Sequence, residues 1–162
     1  MQTKKELTSQ QVFLKLSALC ARSEHCQHDM LEKMRQWGVD EETQAEVMAR
    51  LISNRYVDDE RFARAFVQDK IHYNKWGRRK VELALRQKHI DSDIASRVLD
   101  EVDDSEYVSI LKPLLKQKRR SVKAGSEYEL AMKLRQFAIS RGFTMDIIRQ
   151  CINVEDEDEF LD

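Results

Sequence analysis

The chain has 162 residues, of which 41% are hydrophobic and 35% are charged, and it contains only four glycines and one proline. This length suits one ordinary domain or a few small modules, and the scarcity of helix breakers favours an all-α protein. No apolar run reaches the roughly 18 residues of a membrane span, and the N-terminus lacks the apolar core of a signal peptide. The three cysteines lack the close spacing of a disulfide scaffold, so we expect a cytoplasmic protein.

The formal net charge of −1 conceals an uneven distribution. Residues 155–162 carry six acids and no base, which leaves 28 bases against 23 acids in the rest of the chain. Residues 61–88 contain nine bases and two acids, and residues 112–123 contain six bases and no acid. Such local excesses are typical of surfaces that meet phosphate or acidic proteins, although a solvated helix face explains them equally well.

Hydrophobic periodicity predicts nine helices in three groups of three. Their predicted ranges are 9–22, 27–37 and 41–53, then 59–73, 78–88 and 92–102, then 105–120, 127–141 and 145–153. Pro113 lies inside the seventh helix and is expected to kink or restart it. Ser126 and Glu129 predict a capping box at the start of the eighth helix.

A junction that recurs about every fifty residues separates helices within each group. The segments WGVDEE at 37–42, KHIDSD at 88–93 and RGFTMD at 141–146 share one order of residue types. In each segment the second residue is Gly or His, the third is apolar and the fourth is a helix N-cap residue. Gly38 and Gly142 can adopt the left-handed conformation that closes a helix, and His89 is a strained copy of them. Asp or Thr then caps the next helix.

The repeat predicts an all-α, elongated, curved tandem array of three three-helix repeats. The first repeat, with an N-terminal extension, is expected at 1–56, the basic second repeat at 57–104 and the third at 105–154. An acidic tail follows at 155–162, where the charge density predicts disorder. The tail either folds back on the basic middle of the chain and competes with a partner, or keeps the chain soluble.

The segment NRYVDDERFARAF at 54–66 joins the first two repeats. Asp58 is a good N-cap, and Asp59 and Glu60 fall in the first turn of the next helix, where its dipole favours carboxylates. A catalytic pair of Asp58 and Asp59 would need a cleft and a partner base, neither of which the sequence offers. The structural account explains these residues, and we expect no catalytic site.

The group with the spacing nearest to a metal site is CARSEHCQH at 20–28. Zinc needs four ligands that converge, usually as two spaced pairs. Here His25 and Cys26 are adjacent, and Cys20 falls on the apolar stripe of its helix. An ordinary helix–helix turn explains Cys20, His25, Cys26 and His28 better, so we expect no bound metal and no other cofactor.

The basic middle of the chain is the better functional candidate. Bases cluster at the predicted start of the fifth helix, where the helix dipole disfavours them, and this suggests an external anion or acidic partner. Trp76 either stacks on a base of nucleic acid or acts as a hydrophobic staple. The candidate contact residues, expected to act by charge complementarity and not by base readout, are Arg64, Lys70, Lys75, Trp76, Arg78, Arg79, Lys80 and Arg86.

Residues 54–66, followed by the basic KWGRRKVELALRQKHID at 75–91, resemble the core of the RecX regulatory proteins, which modulate the RecA recombinase. Residues 24–67 resemble the first part of that family pattern, and AMKLRQFAISRGFTMDIIRQCI at 131–152 resembles its terminal repeat. The similarity covers roughly residues 17–153. The resemblance implies a non-enzymatic monomer that binds the groove of the RecA–DNA filament and damps ATP hydrolysis, strand exchange and co-protease action. Single- and double-stranded DNA would be contacted weakly or through the filament, with no membrane.

Two other classes of function remain open at the level of sequence. One is a direct DNA-binding helical protein of the helix-turn-helix type, against which the sequence pI of about 6.4 counts. The other is a helical-repeat scaffold for an unrelated protein partner.

Overall fold

The computed structural model describes residues 6–152, and within that range the chain forms nine helices and no strand. The predicted acidic tail lies outside the described residues. All nine predicted helices are confirmed, with ends that differ by a residue or two. The first eight are α1 Ser9–Arg22, α2 Gln27–Gln36, α3 Glu41–Ser53, α4 Asp59–His72, α5 Arg78–Gln87, α6 Ser92–Asp100, α7 Asp104–Ser121 and α8 Glu127–Ser140, and α9 occupies 145–152.

The three predicted junctions have the same hydrogen-bonded geometry. Gly38 and Gly142 have φ of 69° and 93°, and His89 adopts a positive φ of 56° at the equivalent position. The apolar residue that follows donates its backbone N–H to the carbonyl five residues earlier, in the pairs Val39–Met34 at 3.0 Å, Ile90–Leu85 at 3.2 Å and Phe143–Ala138 at 3.1 Å. This is the Schellman arrangement, and its recurrence confirms the predicted repeat.

Two local predictions need correction. Ser126 accepts the backbone N–H of Glu129 as expected, but the Glu129 carboxylate accepts the N–H of Gly125 instead of that of Ser126. The predicted capping box is therefore only half formed. Asp40 occupies the N-cap of α3, yet its side chain accepts no capping hydrogen bond.

Pro113 does not restart the seventh helix. α7 runs without interruption through Pro113, which is exposed. An interior proline removes one backbone hydrogen bond and costs about 3 kcal/mol in an isolated helix. Here Tyr107, Leu111 and Leu115 are buried on both sides of it, and their packing holds the helix together.

We refer to α1–α3 as unit 1, α4–α6 as unit 2 and α7–α9 as unit 3. Unit 1 has its own core, which contains Leu16, Met30 and Leu51. Units 2 and 3 share a second, larger core. Among the described residues Cys26 is the one member of unit 1 that belongs to this second core. The units therefore follow one another in a row, which confirms the predicted array of three three-helix repeats.

Polar contacts dominate the boundary between units 1 and 2. The imidazole rings of His28 and His89 stack with centroids 4.2 Å apart. Direct hydrogen bonds also cross it, from the Lys88 ammonium to Asp29 at 2.8 Å, from the Gln27 N–H to Asp59 at 2.9 Å and from the Arg61 guanidinium to Glu24 at 2.6 Å. Asp59 thus acts as a structural acceptor at the start of α2.

The Asp29–Lys88 pair should make stability depend on pH. Burial works to raise the pKa of Asp29, but the hydrogen bond and charge of Lys88 outweigh it and lower that pKa. The same hydrogen bond raises the pKa of Lys88. The pair therefore stabilises the fold between the unfolded pKa values of about 3.9 and about 10.4, and loses this effect as the pH falls below or rises above that window.

Asp29→Asn should lower the free energy of unfolding at neutral pH, because it removes the ion pair with Lys88. The loss should be only about 1 kcal/mol, because Lys88 is partly solvated and its charge is partly screened. The variant should also lose stability less steeply than the parent when the pH falls below about 4. Urea denaturation across that range measures both effects. Asp69→Asn, at an exposed position on α4, is the matched control. Equal pH curves for the two variants would contradict the assignment.

Two glycines join units 2 and 3. A Cβ atom on Gly77 would lie 2.5 Å from the carbonyl carbon of Gly142 and closer still to the backbone of Phe143. A Cβ atom on Gly142 would lie 2.6 Å from the backbone nitrogen of Lys80. Real Cβ atoms do not approach backbone so closely, so this contact between the start of α5 and the α8–α9 junction requires glycine on both sides.

No helix within 6–152 is both long and apolar enough to cross a bilayer.

Candidate partner-binding surface

The start of α5 carries three consecutive bases, and two of its backbone donors are already engaged by the end of α8. Gly77 is the N-cap and has no side chain to cap the helix. Its N–H donates to the carbonyl of Arg141 at 2.8 Å, and the N–H of Arg79 donates to the carbonyl of Gly142 at 3.0 Å. The end of α8 therefore supplies an internal negative partner for the α5 dipole.

Trp76 lies at the centre of a small aromatic and cationic cluster. The ammonium groups of Lys70 and Lys80 lie 5.4 Å and 4.8 Å from the centroid of its ring. Lys70 also lies 5.2 Å from the centroid of the Phe66 ring. Trp76 is half-buried and packs against the core shared by units 2 and 3. This packing supports the staple interpretation of Trp76, while the two ammonium groups keep positive charge at the surface.

Two of the predicted arginines are held by carboxylates near the end of α6. Arg64 forms a bidentate pair with Glu101 at 2.9 Å and 2.8 Å. This hydrogen bonding raises the pKa of Arg64 and lowers the pKa of Glu101. Arg78 is bound to Asp100 at 2.7 Å. Both arginines lie beside compensating negative charge, so they attract an anionic partner less than their number suggests.

Arg79 and Arg86 form the most open part of the predicted surface. With Glu82 and Leu83 they line a shallow concavity of about 470 Å³ on the outer face of α5. The Arg86 side chain is 75% exposed and lies 3.8 Å from Glu82, and the Leu83 side chain is also exposed. Within the described part of the chain Arg79 forms no ion pair. We refer to Arg79, Glu82, Leu83 and Arg86 as the α5 outer face.

The remaining predicted residue, Lys75, lies in the connection between α4 and α5. It has a positive φ of 59°, and its exposed ammonium donates a long hydrogen bond of 3.4 Å to the carbonyl of His72. The eight predicted residues therefore occupy four settings: the cluster around Trp76, the α5 outer face, the arginines paired with acids at the end of α6, and Lys75 in the connection before α5. These settings are not all separate surfaces, because Arg78 and Arg86 line one concavity between α5 and α6 together with Glu82.

A second basic site lies on unit 3, and the sequence interpretation did not select its residues. A groove of about 770 Å³ runs along α7 beside α8. We refer to it as the α7–α8 groove. Its floor contains the buried side chains of Leu115, Leu134 and Ile152, and its rim carries the bases Lys112, Lys116, Arg119 and Arg120. The four-residue spacing of three of these bases on one helix is the sequence signal that marks them.

The residues that resemble a metal site have separate partners. The thiol of Cys20 lies 3.7 Å from the sulfur of Met30, and the thiol of Cys26 donates to the carbonyl of Lys88 at 3.8 Å. His28 stacks on His89. Burial raises the pKa of Cys26 to about 11, which disfavours the thiolate that binds metal. Within 6–152 no three metal-binding side chains are grouped.

The fold and these surfaces define a class: a tandem three-helix repeat protein with an open basic face on its second unit and a basic groove on its third.

Comparison with known proteins identifies the family. The model of the second three-helix domain of RecX matches residues 58–99, and that of the third matches residues 104–152. Regulatory protein RecX of Prosthecochloris aestuarii is 32% identical over 130 residues, which cover 80% of this chain and 83% of that protein. The chain therefore belongs to the RecX family of regulatory proteins.

The length and the fold of relatives add two facts. Regulatory protein RecX of Oceanobacillus iheyensis is 28% identical over 87% of this chain, but the match covers 51% of that protein. The chain thus spans about half the length of some curated relatives that it matches. The crystal structure of RecX from Lactobacillus salivarius has a TM-score of 0.82 at 22% identity, over 91% of this chain and 96% of that chain. This likeness supports the same fold.

Proposed function

We propose that this chain is a non-enzymatic regulator that binds the groove of the RecA–DNA filament and inhibits or modulates the recombinase. The affected activities are ATP hydrolysis, strand exchange and co-protease action. The chain acts as a cytoplasmic monomer without cofactor, and contacts single- and double-stranded DNA weakly or through the filament. Membership of the RecX family supports this proposal.

The observation that carries the proposal is the α5 outer face. It presents two arginines around the exposed side chain of Leu83, with a single carboxylate, Glu82, between them. Arginine is enriched in protein interfaces, and an exposed apolar side chain beside it supplies surface to bury. The face lies on the middle unit of a row, where the neighbouring units can meet further subunits of a filament. Contacts that are weak one by one add up through effective concentration.

The direct test is a titration of this protein into RecA that is hydrolysing ATP on single-stranded DNA. We expect the rate of hydrolysis to change progressively with the ratio of this protein to RecA, and to fall if the regulation is inhibitory. A coupled assay of ADP release measures the rate, and the coupling enzymes alone are the control. An unchanged rate at a molar excess over RecA would overturn the proposal.

A second candidate is direct DNA binding by a helix pair, and the α7–α8 groove is the observation that favours it. Neutralised phosphates release counterions, so such binding weakens steeply with salt. Under the filament proposal we expect only weak, sequence-independent binding to bare DNA, lost by about 0.2 M salt. Fluorescence anisotropy of labelled oligonucleotides across a salt series measures it. A tight, sequence-specific complex without RecA would favour the second candidate.

A further inference from the structure

The α7–α8 groove begins where the described chain ends. Ile152, the last described residue, is buried and forms part of the floor of the groove. The ten residues that follow in the sequence are NVEDEDEFLD, with six acids from Glu155 onward. A strongly acidic segment therefore leaves the fold at one of its most basic surfaces.

Chain length allows the segment to follow the groove. Ten extended residues reach at most about 35 Å. The bases from Lys112 to Arg120 extend over only about 12 Å of helix, at 1.5 Å per residue. Glu155 is three residues beyond Ile152, within about 10 Å of it. The acids can thus meet the rim of the groove without any movement of the helices.

The segment and the groove are complementary in charge, and both contain apolar side chains. Five consecutive acids, 155–159, can face the bases on the rim, and Phe160 and Leu161 can contact the apolar floor. We propose that the acidic segment 153–162 binds in the α7–α8 groove of its own chain and competes there with external polyanions. The inference does not depend on the proposed recombinase partner.

The groove is a better site for this segment than the basic middle of the chain, which was one of the two alternatives that the sequence left open. Both regions contain bases that are already paired: Arg64 and Arg78 with Glu101 and Asp100 in the middle, and Arg119 with Glu127 in the groove. The groove differs because Ile152, to which the segment is attached, is one of the residues that line it. A short tether gives a local concentration of about millimolar, so even a weak interaction is well populated.

A spin label at residue 162 tests the position of the segment. The label is attached at D162C in a C20S background, because Cys20 is only half-buried whereas Cys26 and Cys151 are buried. We expect the amide signals of 112–120 to lose about half or more of their intensity at low salt, since a millimolar local concentration favours the bound form. High salt should restore them. Loss centred on 78–88 would overturn the proposal, as would no loss beyond the residues next to the label.

Charge-reversal variants of the labelled chain identify the bases involved. K116E/R120E should abolish the signal loss, because both side chains are exposed on the rim of the groove. R79E/R86E is the matched control on unit 2 and should preserve it. Thermal unfolding that matches the parent shows that each variant is folded. Signal loss that survives K116E/R120E, or that disappears with R79E/R86E alone, would overturn the proposal.

Competition with polyanions has its own readout, with heparin as the probe. Replacement of the six tail acids by Gln and Asn should raise the salt concentration at which the chain elutes from immobilised heparin. Removal of negative charge would by itself raise the elution salt concentration to some extent in every variant. We therefore expect the rise caused by replacing the tail acids to be several-fold smaller in K116E/R120E and unchanged in R79E/R86E. An equal increase in all backgrounds would overturn the competition. None of these measurements contains RecA, so their failure leaves the proposed function untouched.

Discussion

Gly142→Ala is expected to destabilise the core shared by units 2 and 3 by about 3 kcal/mol. A left-handed backbone costs a residue with a side chain about 1 kcal/mol. The added methyl group would also overlap the backbone of Lys80, and overpacking costs about 1–3 kcal/mol more. The overlap is with backbone, so no side-chain rotation relieves it. Relief requires α5 and the α8–α9 junction to move apart.

Gly38→Ala is the matched control for this prediction. Gly38 has the same role at the first junction and a similar positive φ, but nothing lies within 4 Å of an added Cβ. It should cost only about 1 kcal/mol, the conformational term alone. Equal losses of stability for Gly38→Ala and Gly142→Ala would show that the contact with Lys80 contributes nothing.

The two tryptophans allow the two cores to be followed separately. Trp37 packs on the core of unit 1, and Trp76 packs on the core shared by units 2 and 3. Urea denaturation of W37F and W76F backgrounds, followed by fluorescence, therefore reports each core in turn. We expect Gly142→Ala to shift the transition seen by Trp76 more than that seen by Trp37, and Gly38→Ala to do the reverse.

R79E/R86E is expected to raise the concentration needed to affect RecA ATP hydrolysis at least about tenfold, which corresponds to about 1.4 kcal/mol of binding free energy. The estimate is modest, because single charge pairs in protein interfaces couple by about 1.5 kcal/mol or more. The α5 outer face is exposed, and neither arginine supports the core, so the variant should fold as the parent does. This prediction rests on the proposed function.

Two further charge-reversal variants show which surface of the chain makes the contact. K33E/R35E reverses two exposed bases on α2 of unit 1, with the same change in net charge, and should alter the required concentration less than about twofold, since surface charges outside a contact act weakly. K116E/R120E makes the same change in the α7–α8 groove. If R79E/R86E acts like the parent while K116E/R120E loses the effect, the contact face lies on unit 3 and the assignment to α5 is wrong.

The sequence predicted the helices and junctions well because both depend on local interactions. A residue that must adopt a positive φ, the apolar residue after it and the cap that follows lie within a few positions of one another. The order therefore predicted the conformations of Gly38, His89 and Gly142 directly. Pro113 does not restart α7, because packing from outside the helix overrules that local preference.

The candidate surface was predicted less completely, because charge in a sequence does not show its partners in space. The run of bases 61–88 includes Arg64 and Arg78, which pair with two acids at the end of α6, Glu101 and Asp100, more than twenty positions further along the chain. The bases of the α7–α8 groove were visible in the sequence, but the groove exists only where α8 and α9 meet α7. Only the folded structure shows which bases are exposed and which are paired with an acid.

By itself, the sequence determined a row of three similar helical units with a basic middle, since propensity, periodicity and capping act over a few residues. Only the tertiary structure decided that unit 1 keeps its own core while units 2 and 3 share one. It also decided that the backbone at Gly77 packs directly against the backbone at Gly142. Such contacts join residues dozens of positions apart, and their energy depends on distances that no local pattern records.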